Sequence, residues 1–173
     1  LEIDLTSPAV ASKTKSDRRK KVIDATCMVV TCTFSTINSR PHEKTFAALS
    51  PLPGKSFTIA DLQLEMLWVE PGTFEMGSPS SEKDRWDNET RHSETLTEGY
   101  WLGKHEVTQS QWERVMGDNP SKFKGANRPV EQVSWSAVAS FCEKLTELER
   151  KARRLPAGMA YQLPTEAQWE YAC

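Results

Sequence analysis

TQSQWERVMG, residues 108–117, and TEAQWEYAC, residues 165–173, are two versions of one helix start. In each, a threonine is followed three residues later by a glutamine. This is the capping-box arrangement, in which each of the two side chains accepts a hydrogen bond from the other residue's backbone N–H. Each stretch also places a tryptophan one turn into the helix. The pair predicts two helices whose tryptophans face the core, the first of them ending at Gly117.

A longer helix is predicted between these two. Ser134 is a suitable N-cap, and apolar residues then follow at intervals of three and four, with basic residues at the end of the segment. The predicted apolar stripe consists of Val138, Phe141, Cys142, Leu145 and Leu148. Cys142 is therefore expected to be a small core residue and not a reactive thiol. Cys173 shares a helix face with Trp169, so burial is expected there too.

Short strands are predicted around the helices. Met66–Glu70 and Thr73–Met76 flank a Pro71-Gly72 turn. A second strand pair is expected around Glu98-Gly99, and one more strand over Met159–Leu163. Short strands, few helices and much ordered loop around many tryptophans predict a mixed α+β domain.

The chain divides by composition near residue 61. Residues 1–60 carry nine Lys/Arg against five Asp/Glu, whereas residues 61–173 carry thirteen against nineteen and contain all the Trp and Tyr residues. Because large aromatic residues dominate cores, we assign 61–173 to the folded domain and 1–60 to a poorly ordered leader or linker. The net charge of -2 does not favour a nucleic-acid partner. No apolar run reaches the ~18 residues of a membrane span.

The residues that could form a reaction centre are scattered. His105-Glu106 lacks the second histidine of a zincin helix, and His42 and His92 are too distant for a zinc site, so surface positions are expected. An acidic segment could offer oxygen ligands to Ca²⁺, but it lacks EF-hand spacing, and a solvated loop is favoured. That segment contains Glu82, Asp84, Asp87, Asn88 and Glu89. The sequence thus assigns no catalytic or cofactor-binding residue and leaves metal binding undecided.

Four longer phrases resemble the formylglycine-generating enzyme / sulfatase-modifying factor family, collinearly from residue 64 to residue 173. They are LWVEPGTFEMGS, GYWLGKHEVTQSQWERVMGDNPSKFKG, RPVEQVSW and YQLPTEAQWEYAC. The resemblance implies a C-type-lectin-like variant fold in a bacterial-type protein. It also implies the family's founding activity, the oxygen-dependent oxidation of a sulfatase cysteine to formylglycine. That activity uses a pair of reactive cysteines that bind copper, while calcium serves structurally.

In that family the reactive cysteine pair lies well beyond the helix that begins at Thr165, and neither Cys142 nor Cys173 matches it. We therefore expect the N-terminal part of a truncated domain, inactive by itself, with no cofactor of its own. Copper, calcium and a sulfatase or other protein substrate would belong to the intact parent, an oxidoreductase. The alternative is a non-catalytic lectin-like binding or sensory module of the same fold.

Overall fold

The computed structural model describes residues 31–34, 51–83 and 89–172. This part of the chain forms seven strands and three helices. The strands are β1 (Thr31–Phe34), β2 (Phe57–Ile59), β3 (Leu64–Val69), β4 (Gly72–Met76), β5 (His92–Leu96), β6 (Tyr100–Gly103) and β7 (Met159–Gln162). The helices are α1 (Gln109–Met116), α2 (Trp135–Lys151) and α3 (Glu166–Ala172). The short strands and ordered loops confirm the expected α+β class. Among the described residues, none of the three helices combines the length and the apolar character that a membrane span requires.

The strands form two antiparallel sheets. The larger has the order β2-β3-β6-β1-β7, and the smaller consists of β4 and β5. The strands on either side of Pro71 do not pair with each other, and neither do those on either side of Gly99, because β3 pairs with β6 and β4 with β5. The segment β3–β4 therefore lies antiparallel to the segment β5–β6, and the strand pairing is interrupted near Pro71 and Gly99. Proline lacks a ladder N–H, and a Cβ on Gly99 would lie 2.2 Å from the Trp68 ring.

Two strands come from residues assigned to the leader or linker. Thr31–Phe34 lies between β6 and β7, and Phe57–Ile59 pairs with β3 at the sheet edge. These strands belong to the same sheet as the rest of the fold. The division at residue 61 stays a prediction, because most of residues 1–60 lies outside the described part.

The predicted helix starts are confirmed. At α1, Thr108 Oγ1 accepts from the Gln111 N–H, and the Thr108 N–H donates to Gln111 Oε1. Thr165 and Gln168 make the same two bonds at α3. Ser134 caps α2 by accepting from the Ala137 N–H. The left-handed φ of 88° at the residue after α1 is the conformation that its Gly117 allows.

The core lies between the larger sheet and helices α1 and α2. Trp112 of α1 stacks on Phe141 of α2, with ring centroids 5.2 Å apart, so the first predicted tryptophan does face the core. The second does not: Trp169 is only partly buried, while Glu170 of the same helix is buried. The reason is that α3 packs on the smaller sheet, where the Gly77 N–H donates to Glu170 Oε1 at 2.9 Å. Cys173 lies outside the described residues.

The apolar stripe of α2 is shorter than predicted. It is buried through Leu145, but Leu148 is 45% exposed, and Thr146 and Glu149 are buried instead. Thr146 Oγ1 accepts from the Tyr161 N–H of β7. The last two turns of α2 therefore pack against the edge strand β7 through polar side chains, which satisfy the backbone groups of that strand.

Candidate functional site

The two described thiols are core groups. Cys32 is completely buried in β1, and Cys142 is 3% exposed in α2. Burial raises the pKa of each to about 12, and the neighbouring Glu143 charge adds to the effect at Cys142. A thiol with such a pKa stays protonated at neutral pH and is a poor nucleophile and a poor copper ligand. The core position expected for Cys142 is confirmed.

The described histidines are surface residues, as expected. His92 and His105 are both exposed, and His92 Nδ1 lies 2.9 Å from the Thr90 carbonyl oxygen. Within residues 31–34, 51–83 and 89–172, no three His, Cys, Asp or Glu residues come together as a group that could hold a metal. His42 lies outside these ranges.

The acidic segment is only partly solvated, which corrects the expectation of a solvated loop. Its last residue, Glu89, is 6% exposed and accepts a hydrogen bond from Ser78 Oγ at 2.8 Å. The Ser78 N–H also donates to the Glu89 carbonyl oxygen. Burial and these bonds give Glu89 a structural position beside β4. Asp84, Asp87 and Asn88 lie outside the described residues.

A different region has the features of a binding surface: the α1–α2 loop, residues 117–134. The side chain of Gln109, 1% exposed in the first turn of α1, holds this loop in place. Its Nε2 donates to the carbonyl oxygens of Phe123 and Pro129, at 2.9 and 3.3 Å. Its Oε1 accepts from Asn119 Nδ2 and from the Gly125 N–H, at 3.1 and 3.0 Å. One buried amide thus fixes four loop residues.

A second set of bonds closes the same loop on itself. The Glu131 N–H donates to Ser121 Oγ at 3.0 Å, and the Phe123 N–H donates to Glu131 Oε1 at 2.8 Å. Asn119 Oδ1 accepts from the Ser121 N–H. A loop with this many internal bonds loses little conformational freedom when a ligand binds.

The rigid α1–α2 loop and the helix start that follows it each present one large apolar side chain to solvent. Phe123 is 62% exposed, and the Lys122 Nζ lies 5.5 Å from its ring centroid. Trp135, the first residue of α2 directly after the loop, is 73% exposed. Aromatic side chains on a rigid framework are typical anchors of protein interfaces. Neither residue was predicted from the sequence, where the available signal is a phenylalanine between two lysines, Lys122 and Lys124.

Comparison with known proteins agrees with the observed fold and with the family resemblance of the four quoted stretches of sequence. The model of the sulfatase-modifying factor enzyme 1-like domain matches residues 56–173, more than half of the chain. The chain belongs to this family. The resemblance predicted from the sequence is therefore confirmed, and with it the sulfatase-modifying factor fold class.

One curated relative of this sulfatase-modifying factor domain is "Chaperone protein LppX" of Paenibacillus barcinonensis. It is 34% identical over 140 residues, which cover 66% of this chain and 46% of that protein. The chain thus spans less than half the length of the curated relative it matches.

Two solved structures are also similar. Treponema denticola variable protein 1 is 31% identical, with a TM-score of 0.45, over 54% of this chain and 34% of that one. PvdO from Pseudomonas aeruginosa is 20% identical, with a TM-score of 0.49, over 57% of this chain and 46% of that one.

Proposed function

We propose that this chain is a non-catalytic protein-binding module of the sulfatase-modifying factor family, and that the α1–α2 loop is its binding surface. The observation that carries the proposal is the exposure of two aromatic side chains, Phe123 in the loop that buried Gln109 holds in place and Trp135 at the start of α2 directly after that loop. The chaperone name of a relative that is 34% identical supports a client that is a protein. The client expected to bind this loop is an unfolded protein segment with exposed apolar side chains.

The described thiols do not supply the reactive pair of a cysteine-based oxidase. A cysteine-based oxidase needs thiolates, and both Cys32 and Cys142 have pKa values raised to about 12 by burial. Neither fits the copper-binding pair of the family's founding activity. We therefore derive no oxidative step from the described residues.

The test is protection of a thermally unfolding client enzyme, followed by light scattering in the presence of the full chain. A Phe123→Ala/Trp135→Ala double variant should need about tenfold more protein for the same protection, which corresponds to ~1.4 kcal/mol of lost binding. Leu52→Ala/Leu148→Ala is the matched control, because those side chains are also exposed, at 56% and 45%. Equal protection by the two double variants would contradict the proposal for this surface.

A second candidate function is supported by family membership. In the whole protein, oxidation of a sulfatase or other protein cysteine to formylglycine would use copper, with calcium in a structural position. Incubation of the full chain with Cu(I), oxygen and a cysteine-containing sulfatase peptide, followed by mass spectrometry, tests it. We expect no conversion by this chain, and formation of formylglycine would favour the oxidase over the binding module.

A further inference from the structure

One strand of the larger sheet comes from outside the matched domain. The family model covers residues 56–173, which contain β2 to β7. The strand between β6 and β7 is instead Thr31–Phe34, which pairs with Trp101–Leu102 on one side and with Met159–Gln162 on the other. The domain thus provides two strand edges, and a separate segment fills the gap between them.

Both edges of this gap are held by contacts that do not involve β1. Strand β6 pairs along its other edge with β3, over Met66 to Val69. Strand β7 is held from its other side by α2, where Thr146 Oγ1 accepts from the Tyr161 N–H and Arg150 Nη2 donates to the Met159 carbonyl oxygen. Two strand spacings place β6 and β7 about 9–10 Å apart, which leaves room for one extended chain between them.

The gap selects a simple side-chain pattern. Cys32 lies in one row with its partners Trp101 and Tyr161, all three almost fully buried, so only a small apolar side chain fits between the two aromatic rings. On the other face, Thr31 Oγ1 donates to the Gln162 carbonyl oxygen at 3.1 Å. Gln162 Nε2 donates to Thr33 Oγ1 at 2.8 Å. A segment that fits the gap therefore carries a hydroxyl side chain, a small apolar side chain and a hydroxyl side chain at the positions of Thr31, Cys32 and Thr33.

We propose that the gap between β6 and β7 is a strand-acceptor site, which Thr31–Phe34 fills in this chain and which takes an extended client segment of the same pattern. Adding a strand to open sheet edges is a known form of peptide recognition, with affinity from backbone bonds and specificity from alternate side chains. This site rests on the proposed binding function and gives it a sequence preference. Exchange requires that β1 leave the sheet while the rest of the domain stays folded.

Thiol labelling tests the release of β1, with Cys142 as an internal reference for global opening. In the full chain with Cys27→Ser and Cys173→Ser, one version keeps Cys32 (Cys142→Ala) and the other keeps Cys142 (Cys32→Ala). We expect a maleimide to modify Cys32 at least about tenfold faster than Cys142, because local opening requires less free energy than global unfolding. Equal rates would overturn the proposal.

Peptide capture tests the acceptor site itself. The probe is fluorescein-labelled VVTATFST, which corresponds to residues 29–36 with alanine at position 32, and the control peptide carries tryptophan there. Anisotropy should show binding of the alanine peptide alone, about tenfold tighter to a Cys32→Asp full chain, in which the chain's own strand is weakened. If that variant does not fold, labelling and capture with the unmodified chain decide.

The outcomes separate this site from the proposed function. Fast labelling without peptide capture, or equal capture of both peptides, would overturn the strand-acceptor site. Client protection through Phe123 and Trp135 would then still stand. If the unmodified chain gives no client protection but captures the alanine peptide selectively, the α1–α2 loop is overturned as the binding surface and the strand-acceptor site is retained.

Discussion

The Glu149 carboxylate accepts two hydrogen bonds from the Arg154 guanidinium, at 3.0 Å from Nε and 2.6 Å from Nη2. The Glu149 side chain is 4% exposed, whereas Asp61, the second partner of Arg154, is 71% exposed. The bond to Glu149 is the largest cause that raises the pKa of the Arg154 guanidinium above its usual range. Through its bond to Asp61, Arg154 connects the end of α2 to the turn between β2 and β3.

Glu149→Gln should lower the free energy of unfolding by about 3 kcal/mol, because it removes the charge of a buried, doubly bonded partner. Asp61→Asn, which removes the exposed partner of the same guanidinium, should cost less than about 0.5 kcal/mol. Urea unfolding of both variants measures the difference. Equal costs would show that burial of Glu149 does not set the strength of the pair.

Gln109→Leu should loosen the α1–α2 loop. It leaves partly buried backbone groups of the loop without partners, at a cost of about 1–3 kcal/mol. Amide hydrogen exchange should accelerate at Gly125, whose N–H donates to Gln109 Oε1. Ser110→Ala in the same turn is the control, because among the described residues the Ser110 hydroxyl makes its hydrogen bond with Thr108 Oγ1. Unchanged exchange in Gln109→Leu would contradict the assignment of Gln109 as the residue that holds the loop.

The two capping boxes should differ in their contribution to stability. Thr108→Ala should cost about 1–2 kcal/mol, because its partner Gln111 also donates through Nε2 to the Leu62 carbonyl oxygen and so connects the cap to the core. Thr165→Ala should cost about 0.5–1 kcal/mol, since that cap is exposed. Thermal or urea unfolding compares the two, and a larger effect at Thr165 would contradict this ranking.

Stability should fall above pH 9. The thiols of Cys32 and Cys142 have an ordinary pKa of 9.0 when unfolded and about 12 when folded, so the folded chain binds more protons between these values. The stabilisation is complete below pH 9 and is lost as pH rises toward 12, by up to about 1.4 kcal/mol per pH unit for each thiol. Urea unfolding at pH 8 and pH 10.5 should show a smaller decrease in Cys142→Ala than in the unmodified chain. The same decrease in both would contradict burial of that thiol.

The helix starts and the first core tryptophan were predictable because capping is local. Thr108 and Gln111 are three residues apart and satisfy each other's backbone groups whatever the rest of the chain does. The apolar stripe of α2 was predictable as far as Leu145 for the same reason, because its spacing is set within the helix. Three of the four phrases that identified the family contain the helix starts at Thr108, Ser134 and Thr165, so its membership could be read directly.

The sequence by itself determined the helix starts, the core position of Trp112 and the family of this protein. Tertiary structure alone decided the strand pairing and the candidate sites. Thr31 bonds to Gln162, 131 residues away, and no pattern within either segment specifies that partner. The same holds for the burial of Glu149, the four bonds of Gln109 and the raised pKa values of both thiols. Each depends on which distant groups surround the residue and exclude water from it.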